Sequence, residues 1–184
     1  MCIRDRSSWS TDGRYIAFTL SGSFPRTQSV WILPLFGERK PFPLSPTAFF
    51  EGSGKFSPDG RWIAYTTSEP GEPNVYVQPF LRTGGKYPVS RDGGHQPSWR
   101  ADGKELFFLA PDGTMMAVPI DAAGQLAIGA PQALFQTGAT AATNYRQMYA
   151  ATKDGKRFLV NSPPQRLSGP HLTVIVNWTA AIQK

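Results

Sequence analysis

The sequence is poor in cysteine and in charge, and it contains no long hydrophobic run. Of its 184 residues one is a cysteine, Cys2, and 17% are charged, against roughly 25% in an average globular protein. With one cysteine the chain cannot form an internal disulfide or a cysteine-based zinc site. No run of about 18 apolar residues occurs, so no transmembrane helix is predicted in this segment, and no apolar signal-peptide core opens it.

The first six residues, from Met1 to Arg6, match none of the repeats that fill the rest of the chain. They are typical of translated adapter sequence at the ends of metagenomic gene fragments. We therefore expect residues 1–6 to be a non-native leader, which is set aside in reasoning about the fold. The native part would then contain no cysteine.

Glycine and proline, in contrast, are plentiful. There are 18 glycines and 17 prolines, spread along the chain and not gathered in one linker. Apolar residues make up 40% and aromatic residues 12%, which is enough for a core. No segment of about ten residues has a 3.6-residue apolar period, so almost no helix is expected. This composition is typical of an all-β protein with many short strands and turns.

A signature built around an Asp-Gly pair returns four times, in residues 9–18, 56–65, 99–108 and 151–160. Each copy has the pattern aromatic-x-x-Asp-Gly-basic followed by an apolar run, except that Ala151 replaces the aromatic residue in the last copy. The aspartates recur at intervals of 47, 43 and 52 residues, a period that indicates β-propeller blades. The predicted turn residues are Asp12, Gly13, Asp59, Gly60, Asp102, Gly103, Asp154 and Gly155.

The residue types of the signature suit a tight hairpin. In the second copy Pro58 presets φ, Asp59 hydrogen-bonds to nearby backbone, and Gly60 adopts the left-handed conformation without steric cost. Four strands are predicted in the second unit and four in the third, as a propeller blade requires. The predicted strands are 54–57, 61–67, 74–80 and 86–90, then 96–100, 105–110, 114–120 and 132–136. A β-sandwich is the alternative, but it does not explain one signature at one period.

We therefore predict an all-β chain, with a partial β-propeller of about four four-stranded blades in residues 7–184. The expected blades are 7–45, 46–90, 91–137 and 138–184, the last lacking its outer strand. Four blades is the lower limit of known propellers. We expect an incomplete, open arc of a larger propeller, with exposed strand edges at both ends.

Residues 56–65, Phe-Ser-Pro-Asp-Gly-Arg-Trp-Ile-Ala-Tyr, resemble the TolB-type, WD40-like (PD40) propeller repeat. Residues 93–108 and 174–180 also resemble the C-terminal end of bacterial proteins that join this propeller to a serine/threonine kinase domain or a winged-helix domain. The resemblance implies a sensory or scaffolding propeller outside the cytoplasmic membrane, in a parent chain that is membrane-anchored. It implies no membrane contact within this segment.

The motifs of catalysis are missing. The chain has no His-Arg-Asp loop, no Asp-Phe-Gly and no Gly-x-Ser-x-Gly, so no kinase residue and no hydrolase nucleophile can be assigned. Its two histidines, His95 and His171, are far apart and have no further ligand at useful spacing, so no metal site is predicted. We expect no catalytic residue and no cofactor. Two alternatives remain open: the accessory, substrate-gating propeller of a prolyl-oligopeptidase-like peptidase, and a soluble TolB-like periplasmic interaction protein.

The formal net charge of +6 permits an anionic partner, but the basic residues are scattered singly, and no nucleic-acid partner is expected. A basic residue follows each Asp-Gly pair, and these four would lie on one face of a propeller. They could attract an anion, but the simpler interpretation is that each solvates its turn and pairs weakly with the aspartate. The four are Arg14, Arg61, Lys104 and Lys156.

Binding is expected on the other face, where the longer connections 46–51, 91–96 and 138–146 gather. Glu51, His95 and Arg146 stand at nearly matched positions of these connections, just before the innermost strands. We predict that these three residues lie at the mouth of the central channel and contact a protein or a small ligand. Ordinary loop polarity is the alternative explanation of the same residues.

Overall fold

The computed structural model describes residues 2–21, 28–45, 49–69, 71–122, 125–139, 147–162 and 172–176, and of residues 2–7 and 172–176 it describes the backbone. All regular structure in these residues is β-strand, as predicted. The described part of the chain contains no helix of the length and apolarity needed to cross a membrane.

The strands form four consecutive antiparallel sheets, each built from one stretch of sequence. The first sheet contains β1 (Cys2–Trp9), β2 (Tyr15–Ser21), β3 (Gln28–Pro34) and β4 (Phe42–Pro43). The second contains β5 (Glu51–Phe56), β6 (Trp62–Thr67), β7 (Asn74–Pro79) and β8 (Tyr87–Pro88). The third contains β9 (His95–Trp99), β10 (Glu105–Leu109), β11 (Thr114–Asp121), β12 (Ala127–Ile128) and β13 (Gln132–Gln136). The fourth contains β14 (Tyr149–Ala151), β15 (Arg157–Asn161) and β16 (Leu172–Val176).

The order of strands within each sheet follows the chain, so each sheet is a meander, as in a propeller blade. The first strand of each blade is the inner one, because β1 lies next to β5 and β5 lies next to β9. Tyr149 of β14 donates its hydroxyl hydrogen bond to the carbonyl of Gln96 in β9, which brings the fourth blade against the third. The prediction of about four blades in an arc is confirmed.

Apolar side chains fill the spaces between successive blades. Each pair of neighbouring blades shares one hydrophobic cluster. A large apolar side chain buried in such a cluster contributes about 1.5–3 kcal/mol relative to its exposure to water. The clusters centre on Ala17, Ile32 and Ile63 between blades one and two, on Ala64, Val77, Leu106 and Phe108 between two and three, and on Phe107, Leu109, Phe158 and Val160 between three and four.

The burial pattern of a strand depends on whether its blade has a described neighbour on both sides. In β6 every residue from Ile63 to Thr67 is buried, because blades one and three cover the two faces of the sheet. In β15 buried and exposed residues alternate, with Phe158 and Val160 facing the third blade. The period-2 alternation of a strand with one solvated face is therefore seen in β15 and lost in β6.

Beyond shifts of one residue at strand ends, the strands differ from the sequence prediction in four places. The inner strand of the second blade begins at Glu51, three residues earlier than expected, and the outer strand β8 has only two residues. The third blade has an extra short strand, β12, which pairs with the end of β11. Strand β1 begins at Cys2 and pairs with β2 across residues of the expected leader. Strand pairing uses backbone groups that native and non-native residues both carry. The pairing of β1 therefore does not test the origin of residues 1–6, which stays a prediction.

Candidate functional site

The meander gives the arc two chemically different ends. The hairpins that join the first two strands of each blade carry the Asp-Gly pairs and share one end, here called the turn face. The connections between successive blades and the hairpins between second and third strands share the opposite end, here called the connection face.

The four Asp-Gly turns on the turn face share one hydrogen-bond pattern. In each, the glycine N–H donates to the carbonyl three residues earlier at 2.9 Å. The aspartate accepts from the N–H two residues later at 3.0 Å. The glycines have φ between 69° and 73°, a left-handed conformation that a side chain disfavours.

A hydroxyl two residues before the aspartate completes three of the turns, and sequence reasoning missed it. Ser10, Ser57 and Thr152 each donate to the aspartate carboxylate. Each also accepts an N–H from the residue five positions later. In the third turn Arg100 takes this place, and its guanidinium bonds to both Asp102 and Glu105. The signal was present in the sequence as Ser, Ser and Thr at one repeat position.

These bonds lower the pKa values of the turn carboxylates. Hydrogen bonds from Ser10 and from Thr152 are the first cause at Asp12 and Asp154. The Arg100 guanidinium lowers the pKa of Asp102. At Asp59 burial raises the pKa, but the hydrogen bonds from Ser57 and Arg61 outweigh it, and the pKa lies below its usual value.

The basic residues that follow the Asp-Gly pairs have different side-chain contacts. Arg61 pairs with Asp59 at 2.6 Å and bonds to the carbonyl of Ala122 in the next blade. Arg14 stacks over the Phe36 ring, 4.4 Å from its centroid. Within the described residues, Lys104 forms no ion pair through its side chain, and neither does Lys156. A ring of paired cations is therefore not what organises this face.

On the connection face a cleft of about 500 Å³ opens between the second and third blades. Its walls come from three segments: the β6–β7 connection, the β8–β9 connection and the β10–β11 hairpin. The half-buried His95, one of the three predicted site residues, lies in this wall. The residues that line the cleft are Glu72, Pro73, Arg91, Asp92, Gly93, His95 and Pro111.

Of the other two predicted site residues, the structure describes Glu51, which does not line this cleft. Glu51 begins the inner strand of the second blade, opposite Thr67, and is only 2% exposed. The pKa of the Tyr65 hydroxyl is raised, first by the burial of that hydroxyl and second by the negative charge of Glu51. Arg146 lies outside the described residues. The structure thus places His95 in an open cleft and Glu51 in the interior, and ligand binding by these residues stays a prediction.

Two inner strands carry a backbone irregularity at the same repeat position. Ser53 in β5 and Gln96 in β9 both have a φ of 58° and are 1% exposed. Both stand at a break of the strand register, as in a β-bulge. A positive φ is costly for these residue types, so surrounding contacts must hold them.

At Gln96 those contacts are visible. Its side-chain oxygen accepts from the Met148 N–H at 2.8 Å, and its carbonyl accepts from the Tyr149 hydroxyl at 2.8 Å. Burial also raises the pKa of that hydroxyl, which keeps it a donor. Gln96 therefore ties the third blade to the fourth, a role that no local pattern in the sequence indicates.

The described residues of the connection face offer apolar contacts and charged groups to a ligand. Among the described residues, no three His, Cys, Asp or Glu side chains stand close enough together to hold a metal ion. The cleft instead combines proline rings with separate carboxylate, guanidinium and imidazole groups.

Comparison with solved structures identifies this architecture. TolB from Acinetobacter baumannii superimposes with a TM-score of 0.71 over 95% of this chain, at 16% sequence identity. The chain has the TolB-type β-propeller fold. The propeller is also similar to a puromycin-hydrolyzing peptidase from Mycobacterium tuberculosis, with a TM-score of 0.60 over 86% of the chain at 19% identity. A third similar structure is the Cps50 (Swd1) β-propeller domain of Myceliophteria thermophila, with a TM-score of 0.56 over 93% of the chain at 11% identity.

The propeller spans only part of these proteins: 41% of the TolB chain, 28% of the peptidase and 68% of the Cps50 domain. No protein-family model matches the sequence, and no curated protein sequence matches it. At these identities the likeness shows the fold alone, in agreement with the TolB-type, WD40-like resemblance of the repeat.

Proposed function

We propose that this propeller is a non-catalytic recognition module that presents its connection face to a protein or a small ligand. The observation that carries the proposal is the contrast between the two faces. The turn face repeats one hydrogen-bond pattern four times, whereas the connections on the opposite face differ in sequence and surround a cleft of about 500 Å³. Varied loops on a regular scaffold are the usual arrangement of a binding surface.

We further propose that the module is the C-terminal sensor of a larger, membrane-anchored signalling protein and lies outside the cytoplasmic membrane. The support is the resemblance of residues 93–108 and 174–180 to propellers linked to serine/threonine kinases. In that arrangement ligand binding outside the membrane would be transmitted to a kinase domain on the other side.

The second candidate is an accessory, substrate-gating propeller of a peptidase. It is favoured by one observation, the TM-score of 0.60 with the puromycin-hydrolyzing peptidase, of which this chain spans 28%. A soluble TolB-like interaction protein is the third candidate, favoured by the superposition on TolB.

Sequencing the parent gene across both ends of this segment separates the three candidates. The sensor proposal expects a kinase or winged-helix domain upstream, followed by a membrane helix, with a stop codon after Lys184. A downstream domain with a Gly-x-Ser-x-Gly elbow would overturn it in favour of the peptidase. An upstream signal peptide without a kinase would favour the TolB-like candidate.

The recognition role itself is tested by thermal unfolding of the chain with a panel of peptides and small molecules. A ligand that binds the folded state raises the midpoint by mass action. Ligands that bind should shift amide signals of the connection face in NMR spectra. Binders whose shifts all lie on the turn face would contradict the proposed function.

A further inference from the structure

The described residues of the two faces differ in charge. On the connection face the described charged groups are five carboxylates, one guanidinium and the Lys86 ammonium that pairs with one of the carboxylates, although the whole chain has a net charge of +6. One of the carboxylates, Glu69, is neutralised by Lys86 at 2.7 Å. The carboxylates are Glu51, Glu69, Glu72, Asp92 and Asp112, and the guanidinium is that of Arg91.

Two of these carboxylates stand in the cleft between the second and third blades. Glu72 and Asp92 are exposed, and neither forms an ion pair with a described residue. Asp112 follows Pro111 of the cleft wall and is bonded to the uncharged Thr114 and Gln136. The cleft therefore has an excess of negative charge despite Arg91.

The apolar part of the cleft is held in shape by bonds that do not involve those carboxylates. The side-chain oxygen of Asn74 accepts from the Ser90 hydroxyl and from the Gly93 N–H, at 2.8 and 3.1 Å. The Gly94 N–H donates to the Pro73 carbonyl at 2.9 Å. A Cβ atom at Gly93 would lie 2.4 Å from Pro111 Cγ, so only glycine permits this approach. A preformed cleft of this kind lowers the entropic cost of binding.

We propose that this cleft binds an extended peptide segment through a basic side chain. The proline rings of Pro73 and Pro111 contact the aliphatic stem, and the carboxylates of Glu72 and Asp92 pair with the cationic head. Lysine and arginine side chains combine such a stem with such a head. The inference rests on the proposed recognition function and adds the chemical class of the partner and the place where it docks.

The charge of the cleft favours a basic side chain over an acidic or a purely apolar ligand. An acidic peptide would meet Arg91 but would be repelled by Glu72 and Asp92, which outnumber it. A purely apolar ligand would gain the proline contacts but would leave the carboxylates to be desolvated without a partner, which is unfavourable. A basic side chain satisfies both parts of the wall.

The test uses the full chain and an end-capped, dye-labelled peptide of about ten residues in which alanine and lysine alternate. The matched probe has glutamate at every lysine position. Binding is followed by fluorescence polarisation, and the site is located by amide chemical shifts. The double variant Glu72→Gln, Asp92→Asn should weaken binding of the lysine peptide about tenfold, from about threefold for each exposed charge pair.

Two further variants fix the sign and the place of the effect. Arg91→Gln removes the opposing charge from the same cleft and should tighten lysine-peptide binding about threefold. Glu38→Gln removes an exposed carboxylate from the turn face and should change nothing. Raising the salt concentration from about 0.05 M to about 0.5 M should weaken the wild-type complex. All four substituted residues are exposed, and near-ultraviolet circular dichroism verifies that the variants are folded.

Three outcomes would overturn the proposal. The glutamate peptide could bind more tightly than the lysine peptide and weaken in Arg91→Gln, which would reverse the charge of the partner. The lysine peptide could bind without any effect of the cleft variants, which would place the site elsewhere. The third outcome is that neither peptide binds. None of these by itself refutes the recognition function, which is contradicted instead when the ligands that bind shift only amide signals of the turn face.

Discussion

The tripeptide Pro-Asp-Gly occurs twice in this chain, once on each face, and the two copies are held differently. Residues 58–60 form the Asp-Gly hairpin of the second blade on the turn face, and residues 111–113 form the β10–β11 hairpin on the connection face. Both glycines have positive φ, 70° and 84°. A Cβ atom at Gly60 would have no neighbour within 4 Å, whereas one at Gly113 would lie 2.3 Å from the Ala139 carbonyl oxygen.

The partners of the two turns explain this difference. The turn at Gly60 is closed chiefly by Ser57 and its bond to Asp59, and the Thr11 hydroxyl of the first blade also donates to the Pro58 carbonyl at 2.7 Å. At Gly113 the glycine itself is bonded to a residue far along the chain, because the Thr137 N–H and hydroxyl both donate to the Gly113 carbonyl, at 3.1 and 2.6 Å. The two copies therefore differ at the glycine, which is open around its Cα on one face and held against a distant segment on the other.

The largest expected effect is that of alanine at the two glycines. Gly60→Ala should cost about 1 kcal/mol, the penalty of a side chain in the left-handed conformation. Gly113→Ala should cost about 3 kcal/mol, because the methyl group also displaces the backbone of Ala139. Urea unfolding of both variants measures the difference. Equal losses would mean that the connection face adjusts as freely as the turn face.

The next effect concerns the bond between the third and fourth blades. Gln96→Ala leaves the buried Met148 N–H without its acceptor, and we expect a loss of about 2 kcal/mol in the free energy of unfolding. The exposed Gln132 on β13 is the matched control, and Gln132→Ala should change stability by less than about 0.5 kcal/mol. A Gln96→Ala loss as small as that of the control would show that β14 is held by packing and by the bond of the Tyr149 hydroxyl to the Gln96 carbonyl, without help from the Gln96 side chain.

A smaller effect is expected for the hydroxyl of the turn face. Ser57→Ala removes an acceptor from the Trp62 N–H and a donor from Asp59, and should cost about 1 kcal/mol. Ser10→Ala removes the equivalent bonds in the first blade. The bonds of Ser10 and those of Ser57 have no residue in common, so the losses of the two variants should add within about 0.5 kcal/mol. Strong non-additivity would mean that the two turns are coupled through the bond from the Thr11 hydroxyl to the Pro58 carbonyl.

The smallest effect is the dependence of stability on acid. The pKa values of Asp59, Asp102 and Asp112 are lowered from 3.8 in the folded chain. Their contribution to stability is therefore fully present above the unfolded value and is lost as the pH falls through the lowered folded values. The urea midpoint should be insensitive to these groups near neutral pH and should fall below about pH 4.

The variant Asp59→Asn sharpens the acid experiment. It should be less stable than the wild type at neutral pH and should show a shallower fall in acid, because one of the titrating groups is gone. Identical acid profiles for the two proteins would mean that the hydrogen bonds to Asp59 do not stabilise the folded state.

Sequence reasoning reached furthest where structure is local. The signature at residues 56–65 predicted the turn at Asp59 and Gly60 and a strand after it, and β6 follows it at Trp62–Thr67. The start of the inner strand was placed at Gly54, three residues too late, since Gly52 and Ser53 are not typical strand residues. Gly54 itself is required, because a Cβ atom there would lie 2.8 Å from Val30 in the first blade. The reason for this glycine lies 24 residues away in the sequence.

The candidate site was predictable only in part. His95 was chosen from its connection, and it does line the cleft. The other walls, Pro73 and Pro111, belong to different hairpins, and nothing in their own neighbourhood marks them as partners of His95. Glu51 was chosen by the same reasoning and is buried. Repeat position indicates the end of the blade where a residue lies, but not whether its side chain reaches solvent.

The sequence by itself determined the all-β class, the period of the blades and the Asp-Gly turns. These depend on the backbone preferences of Pro, Asp and Gly and on short apolar runs. Such signals are contained within a few consecutive residues and need no contact with the rest of the chain. Only the tertiary structure decided the cleft between the second and third blades, the buried position of Glu51 and the link from Gln96 to the fourth blade. Each of these brings together groups from separate hairpins, and their meeting depends on how the blades pack against one another.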